Sequence, residues 1–272
     1  MTMRTVSDFA GMKAEGRRIV SLTAYDFPTA LLEQEAGVDF ILVGDSVAMA
    51  VLGEETTLGA TVEMMLPHVK AVRRGAPGTF VVADMPFGSY QASDERAVDS
   101  AVRFMAEGGA DAVKLEGGAP MPLTRAAAII ASGIPVMGHV GLLPQSIRAS
   151  GGYRAVGAGQ AGRVMAEARA LEEAGAFAVV LESVEEAVAR DVTAALSVPT
   201  IGIGAGRFTD GQILVVSDML GITRGFEPRF LKKYADIGAL AGRAISEYAD
   251  EVRNGSFPEA RHAYAPLREP AE

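Results

Sequence analysis

Eight short apolar runs recur along this chain of 272 residues, separated by segments with helical periodicity or by Gly-rich turns. Near-continuous apolar runs are typical of parallel strands that are covered on both faces. Eight such strands joined by helices predict an α/β fold, a (β/α)₈ TIM barrel, and the length is usual for one. The predicted strands are Arg18–Ala24, Phe40–Gly44, Phe80–Ala83, Ala112–Leu115, Pro135–Gly138, Ala178–Leu181, Pro199–Ile203 and Ile213–Ser217.

The segments between the runs predict amphipathic helices, several of which begin at a capping residue or Pro and end at Gly. The predicted helices are Pro28–Glu35, Val62–Arg73, Asp94–Glu107, Pro122–Ala131, Gln160–Glu173 and Val184–Ala195. A short helix before Arg18 is expected to close the bottom of the barrel. We therefore expect a single barrel domain over residues 1–272, with a flexible tail over residues 262–272.

The composition excludes several classes of function. The formal net charge of −9 and the lack of a basic stretch argue against nucleic-acid binding. The chain contains no Cys, which excludes disulfides, thiolate metal sites and a cysteine nucleophile. No apolar stretch reaches the length of a membrane span, and the polar N-terminal segment lacks the apolar core of a signal peptide. We expect a cytoplasmic protein that does not bind membranes.

Four carboxylates each follow a separate apolar run: Asp45, Asp84, Glu116 and Glu182. The carboxyl ends of parallel strands share one face, so these side chains are expected to meet there. Carboxylates that lie this close repel each other unless a cation or shared protons compensate. The pattern therefore predicts a divalent metal site or a general-base site, although capping of the following helix is an alternative role for Asp45, Asp84 and Glu182.

The residues next to these acids indicate the kind of substrate. Lys114 and Glu116 alternate along one strand and so lie on the same face. A hard cation such as Mg²⁺ prefers carboxylate oxygens, and a lysine beside it would pair with an anionic substrate group. This combination suits a small carboxylate or keto acid. Glu182 would be a suitable proton acceptor, and His139 would either orient a neighbour or take part in catalysis.

Three connections at the strand ends stand out. The segment Gly202–Gly206 lacks the full dinucleotide-binding pattern, and we favour close backbone packing there over phosphate binding. The connections Val47–Thr61 and Val140–Gly159 are longer than packing requires. Long loops that contain Gly at this face are candidates for lids.

An ordered set of motifs resembles the ketopantoate hydroxymethyltransferase family, which is also called the 3-methyl-2-oxobutanoate hydroxymethyltransferase family. The motifs are TAYD (23–26), LVGDS (42–46), TTL (56–58), VRRGAP (72–77), ADMPF (83–87), VKLEGG (113–118), GHVGLLPQS (138–146), GGY (151–153), VLES (180–183), IGIGAG (201–206) and DGQILV (210–215). One such motif would be weak, but the whole set in order is specific.

The resemblance implies a barrel of the phosphoenolpyruvate/pyruvate superfamily and a role in pantothenate biosynthesis. The implied reaction moves a one-carbon unit from 5,10-methylenetetrahydrofolate to 3-methyl-2-oxobutanoate, giving 2-dehydropantoate through a Mg²⁺-stabilised enolate. It also implies a large homo-oligomer, a decamer in some members.

The resemblance also assigns roles to residues of this chain. It matches Asp45, Asp84 and Glu116 to the Mg²⁺ positions, directly or through water. Ser46 and Lys114, together with the two aspartates, match keto-acid positions. Glu182 matches the catalytic base.

Three other functions remain as alternatives. A metal-dependent keto-acid lyase or aldolase of the same superfamily is the first, but the lyases of that group rely on a cysteine acid, which this chain lacks. A phosphate-binding barrel that uses Gly202–Gly206 is the second, and it leaves the four carboxylates unexplained. A non-catalytic scaffold is the third.

Overall fold

All eight predicted strands form, and they close into a parallel barrel in the order β1 to β8. The computed structural model of the chain describes residues 3–152, 155–225 and 227–264. The strands are β1 Ile19–Thr23, β2 Phe40–Val43, β3 Phe80–Asp84, β4 Ala112–Lys114, β5 Val136–Gly141, β6 Ala178–Glu182, β7 Thr200–Ile203 and β8 Gly211–Leu214. The expected (β/α)₈ architecture is confirmed.

Helices follow the strands as expected, and shorter helical turns lie in the longer connections. The helices are α1 Val6–Ala14, α2 Phe27–Glu35, α3 Val47–Ala50, α4 Val62–Gly75, α5 Asp94–Ala106, α6 Pro120–Ala131, α7 Ile147–Ser150, α8 Ala161–Glu173, α9 Glu186–Ala195, α10 Val216–Met219 and α11 Ile237–Asn254. Short 3₁₀ helices span Thr57–Gly59, Pro144–Ser146, Ala158–Gln160 and Ala260–His262.

Helix α1 closes the amino-terminal end of the barrel, as the sequence predicts. Its Phe9 is 1% exposed and lies in the same buried cluster as the first interior residues of the strands. The Phe9 ring meets those of Phe80, Phe40 and Phe177 at centroid distances of 5.2, 5.8 and 6.1 Å. Aromatic pairs at this spacing add to the stabilisation gained from burial. The functional face must therefore be the opposite one.

Strand β8 lies earlier in the chain than the sequence predicts. It covers Gly211–Leu214 rather than Ile213–Ser217. Its first residue, Gly211, pairs with Ile19 of β1, and a Cβ there would lie 2.6 Å from the Ile19 oxygen, so only glycine fits this close approach. Residues Val216–Met219 form helix α10 instead, and the Val216 amide donates to the Thr23 hydroxyl at 3.1 Å. Apolar content alone placed that strand too late.

Strand β5 is longer than predicted, and helix α9 is shorter. β5 continues to Gly141, so His139 lies within the strand rather than at its end. Helix α9 begins at Glu186 rather than Val184, because Val184 forms a parallel bridge with Val156.

Contacts divide the chain into two compact units, which are described separately. The first comprises Met1–Val216 and Glu227–Leu231 and contains the barrel. The second comprises Ser217–Phe226 and Lys232–Glu272 and contains α11, whose Leu240, Ile245 and Tyr248 side chains are exposed. The single domain expected over 1–272 stays a prediction.

Of the expected tail, residues 265–272 lie outside the described residues. Among the described residues, no helix is long and apolar enough to cross a membrane.

Candidate active site at the carboxyl ends of the barrel strands

The alternation of side chains along the strands turns an apolar interior into a charged layer at the carboxyl end. Strand β3 presents Phe80 and Val82 to the buried cluster, and Asp84 is two residues further on. Strand β4 presents Ala112 there, and two residues later comes Lys114. In both strands the period of two that builds the core also carries the charged side chain to the barrel mouth.

Asp84 and Lys114 form the central ion pair of the site. They are register partners on adjacent strands, and Lys114 Nζ lies 2.8 Å from Asp84 Oδ1. Both side chains are almost fully buried. Burial alone would lower the pKa of Lys114, but the carboxylates of Asp84, Glu116 and Asp45 raise it above its ordinary value. Lys114 is therefore a fixed positive charge inside an acidic cluster.

Asp45 lies just beyond β2 and faces Asp84. Its backbone amide donates to Asp84 Oδ2 at 3.3 Å, while its own Oδ2 accepts from Gln145 Nε2 at 2.9 Å. Burial and then the neighbouring charge of Asp84 raise the pKa of Asp45 to about 7. The two aspartates therefore hold more negative charge than Lys114 alone neutralises.

Glu116, two residues beyond Lys114, joins the cluster from the loop after β4. Its Oε2 accepts from the Gln145 backbone amide at 3.0 Å, and its Oε1 lies 3.8 Å from His139 Nδ1. Burial raises the pKa of Glu116 well above its ordinary value, against the opposing attraction of Lys114. Like Asp45, it is a carboxylate whose ionised form needs further positive charge.

His139 connects this cluster to Glu182. Its Nδ1 lies 3.4 Å from Lys114 Nζ, and its Nε2 lies 3.2 Å from Glu182 Oε2. A lysine can only donate and a carboxylate can only accept, so the neutral tautomer with its proton on Nε2 satisfies both neighbours. Burial and then Lys114 lower the pKa of His139, which favours this neutral form. His139 is thus in a position to orient Glu182.

Glu182 is the acid of the cluster that is best placed to reach a ligand. It is the last residue of β6, and its side chain is 19% exposed, against 3% for Asp84 and Glu116. It does not cap the next helix, because α9 begins at Glu186 and its N-cap residue is Glu185. The capping alternative for Glu182 is therefore wrong.

The predicted alternative of helix capping is not seen for Asp45 and Ser46 either. Helix α3 begins directly after Ser46, yet no side-chain cap bond forms there. Instead the Ser46 hydroxyl lies 2.8 Å from the Tyr25 hydroxyl, and the Asp45 carboxylate contacts Gln145. Gly44 makes room for this arrangement, since a Cβ on it would lie 2.6 Å from Ser46 Oγ.

Sequence reasoning missed Gln145 and Tyr90 as site residues. Both are buried, and the Tyr90 hydroxyl donates to Gln145 Oε1 at 2.7 Å. They lie in connections without strand or helix periodicity, and neither can titrate near neutral pH. The only signal in the sequence was their neighbourhood: Gln145 lies in the GHVGLLPQS motif and Tyr90 shortly after ADMPF.

The side chains of Asp45, Asp84 and Glu116 are suitable ligands for a hard cation. They supply only carboxylate oxygens, and when ionised these three buried groups carry more negative charge than the single positive charge of Lys114 can balance. Among the described residues, no three acidic or histidine side chains already converge on one ion position. Asp45 and Asp84 are directly linked, whereas the contacts of Glu116 run to Gln145 and His139. The aspartate pair therefore fits direct ligands better than Glu116 does.

The segment Gly202–Gly206 packs closely, as we favoured from the sequence. A Cβ on Gly204 would lie 2.6 Å from the Phe230 ring, and one on Gly206 would lie 2.5 Å from the Glu186 side chain.

The two long connections contain ordered turns. The first holds α3 and the 3₁₀ helix Thr57–Gly59, and the second holds the 3₁₀ helix Pro144–Ser146 and α7. The two 3₁₀ helices contact each other. Within the second connection, residues 153 and 154 lie outside the described residues. That both connections act as lids stays a prediction.

Comparison with known proteins shows which family the chain resembles. A family profile described as ketopantoate hydroxymethyltransferase matches residues 3–260. Proteins named 3-methyl-2-oxobutanoate hydroxymethyltransferase include one from Frankia alni, 53% identical over 96% of this chain and 86% of its own length. Another, from Thermus thermophilus, is 52% identical over 96% of this chain and 99% of its own length.

Solved structures share the fold at much lower sequence identity. A phosphonopyruvate hydrolase complex with oxalate and Mg²⁺ has a TM-score of 0.63 at 16% identity, covering 98% of this chain and 93% of that one. A 2,3-dimethylmalate lyase, described as a PEP mutase/isocitrate lyase superfamily member, has a TM-score of 0.59 at 17% identity, covering 96% and 92%. These likenesses support the barrel architecture.

The family profile matches most of the chain, and the two relatives from Frankia alni and Thermus thermophilus are more than 50% identical to it over 96% of its length. The chain therefore belongs to the ketopantoate hydroxymethyltransferase family.

Proposed function

We propose that the charged cluster at the barrel mouth transfers a hydroxymethyl group to 3-methyl-2-oxobutanoate, giving 2-dehydropantoate. The activity is that of the family, a step of pantothenate biosynthesis. The observation that supports this site most directly is the grouping of Asp45, Asp84, Lys114 and Glu182 at one end of the barrel, with Glu182 the most open of the acids.

Lys114, Ser46 and the two aspartates are the proposed keto-acid contacts. The substrate carboxylate is an anion, and Lys114 is the cation of this cluster among the described residues. Its buried ammonium would pair with a substrate oxygen more strongly than an exposed lysine would, because a low-dielectric site screens charge poorly. Ser46 adds a hydroxyl that can donate to or accept from the substrate.

We further propose a Mg²⁺ ion held by Asp45 and Asp84, with Glu116 contributing directly or through water. The donor chemistry and the excess negative charge support this assignment. When bound, such an ion would act as a Lewis acid towards the keto and carboxylate oxygens of the substrate.

Glu182 is the proposed base that removes the proton from C3 of the keto acid. The electron pair left on C3 then forms the new carbon–carbon bond to the one-carbon unit, for which we propose 5,10-methylenetetrahydrofolate as donor. Both carbon–nitrogen bonds to that carbon break, water supplies the oxygen of the new hydroxyl group, and tetrahydrofolate leaves after its two nitrogens take up the proton from C3 and one proton from the water. His139 Nε2 lies 3.2 Å from Glu182 Oε2, which leaves the other carboxylate oxygen for the substrate. His139 is therefore a supporting residue that orients the base.

The lyase alternative is supported only by the shared fold. The neighbouring structures resemble this chain at 16–17% identity, which extends no further than architecture. The cysteine acid expected for such a lyase is absent from the sequence.

An assay with 3-methyl-2-oxobutanoate and methylenetetrahydrofolate tests the proposed function. We expect 2-dehydropantoate to form, to require the folate donor, and to be lost with a chelator and restored by Mg²⁺. Product formation that a chelator leaves unchanged would reject the metal. Cleavage of a longer keto acid without any folate dependence would favour the lyase.

The homo-oligomer, a decamer as in some family members, and the cytoplasmic location stay predictions. Light scattering on the purified chain would give the oligomer mass directly. A monomer at assay concentrations would contradict the first of these predictions.

A further inference from the structure

Gln145 contacts two of the acids of the proposed cation site, Asp45 and Glu116. It lies in the 3₁₀ helix Pro144–Ser146 and is 5% exposed. Its side-chain amide donates to Asp45 Oδ2 at 2.9 Å and to the Met85 carbonyl at 2.9 Å. Its backbone amide donates to Glu116 Oε2 at 3.0 Å. One residue thus holds carboxylates that follow two different strands.

The orientation of this amide is determined by its neighbours. The Met85 carbonyl can only accept, and so can the ionised carboxylate of Asp45, so the NH₂ group must face them. The Tyr90 hydroxyl donates to the opposite oxygen at 2.7 Å, and Gln91 Nε2 lies 3.4 Å from it. Both donors and the acceptor of Gln145 are therefore used, and a flipped amide would place oxygen against oxygen.

We propose that Gln145 is a positioning residue of the cation site, which fixes the Asp45 and Glu116 carboxylates and is itself fixed by Tyr90. This inference rests on the proposed function, because it concerns the ion that those carboxylates are proposed to hold. By occupying Asp45 Oδ2, the amide leaves Oδ1 as the oxygen that can face a cation. Hydrogen bonds of this kind orient metal ligands, and their loss weakens metal binding by about 10–100-fold.

Three variants separate the parts of this arrangement. Gln145→Glu keeps the shape but turns an acceptor towards Asp45 and Met85. Gln145→Met keeps the approximate volume and removes both donors and the acceptor. Tyr90→Phe removes only the hydroxyl that fixes the amide. Gln160→Glu is the matched control, because Gln160 is exposed and uses its side-chain oxygen to accept from Arg163.

The test measures Mn²⁺ affinity of the full-length chain by electron paramagnetic resonance titration, without substrates. We expect about 10–100-fold weaker binding for both Gln145 variants, a smaller loss for Tyr90→Phe, and wild-type affinity for Gln160→Glu. Circular dichroism checks folding. If the Gln145 variants do not fold, Tyr90→Phe carries the test, because it removes a single oxygen.

A second readout separates positioning from a merely structural role. If Gln145 acts through the ion, the apparent KM for the keto acid in Gln145→Met should rise at limiting Mg²⁺ and return towards wild type at saturating Mg²⁺. Wild-type Mn²⁺ affinity in folded Gln145→Met and Tyr90→Phe would overturn the proposal and leave the proposed function intact. No Mn²⁺ binding by the wild-type chain would overturn both.

Discussion

Glu182 differs from the other acids of the cluster in what surrounds it. Within the described part of the chain it lies beside His139 and forms no ion pair with a Lys or Arg side chain, and its own side chain is the most exposed of the group. A carboxylate that has one close neighbour to orient it and can still be reached by substrate suits proton transfer. The acids next to Lys114 suit binding, because their charge is engaged within the cluster.

The Glu182→Gln variant is expected to abolish exchange of the substrate C3 hydrogen with solvent. The amide keeps the size of the side chain but cannot accept the proton. Binding of the keto acid should change little, because Lys114 and the aspartates are untouched. Proton NMR in deuterated water measures the exchange, and calorimetry measures the binding. Exchange at the wild-type rate would reject Glu182 as the base.

Glu33 on α2 is a buried acid that takes no part in the site. It is 4% exposed, and neither carboxylate oxygen has a hydrogen-bond partner within the described part of the chain. Burial and then the charge of Asp26 raise the pKa of Glu33 to about 8. Folding therefore keeps a proton on Glu33 that the unfolded chain releases above its ordinary pKa near 4.

The raised pKa of Glu33 should make stability depend on pH. Between about pH 4 and pH 8 the folded state binds more protons at Glu33 than the unfolded state does, so the free energy of unfolding falls as pH rises. Glu33→Gln removes this loss and should stabilise the fold by about 2 kcal/mol or more at pH 8, with little effect near pH 4.

Chemical denaturation at the two pH values measures this difference for Glu33→Gln. Glu35→Gln is the control, since Glu35 is exposed on the same helix. Equal stabilisation of Glu33→Gln at both pH values would contradict the assignment.

Individual site residues differed in how well the sequence predicted them. Asp84, Lys114 and Glu182 end apolar runs, and the strand period places them at one face. Gln145 enters from a loop, where its position depends on the turn after β5 and on Tyr90 across the site. Contacts between loops that are distant in sequence have no local pattern, so they emerge only from the folded chain.

At the scale of elements, the pairing of β5 with β6 sets the position of Glu182. Gly141 is the register partner of Glu182 and has a φ of 103°, a conformation that strongly favours glycine. A Cβ on Gly141 would lie 2.4 Å from the Glu182 carbonyl oxygen and 2.7 Å from Val184. The close approach of the two strands therefore depends on the missing side chain.

Gly141→Ala should displace the end of β6 and lower both stability and activity. We expect a loss of about 1–3 kcal/mol in the free energy of unfolding, from the added methyl group and the backbone conformation. Gly162→Ala in α8 is the control, since no atom lies within 4 Å of its Cβ position. If Gly141→Ala matched this control in denaturant unfolding and in turnover, the strand pairing would not control the site.

Element boundaries were predictable where apolar content and hydrogen bonding agree. Strands β2, β3 and β6 are apolar almost throughout, and their predicted starts are correct. Strand β8 starts with Gly-Gln, and what fixes it is Asp210 just before it, whose carboxylate accepts from the Thr200 amide at 2.8 Å. Tertiary hydrogen bonds of this kind override the apolar pattern.

At the scale of the whole molecule, the barrel separates stability from chemistry along its axis. Phe9 and the apolar interior residues fill the amino-terminal end, and charged side chains occupy the carboxyl end. This polarity is common to barrel enzymes and allowed the site to be predicted from strand ends. What the strand ends could not predict was which of the acids would face each other.

The most direct test of the account is anomalous diffraction from crystals grown with Mn²⁺ and 3-methyl-2-oxobutanoate. We expect one strong peak about 2.0–2.3 Å from carboxylate oxygens of both Asp45 and Asp84, at the ion-binding end of the barrel. The keto acid should lie between this peak and Glu182. A catalytically active crystal whose peak lies away from both aspartates would contradict the central claim.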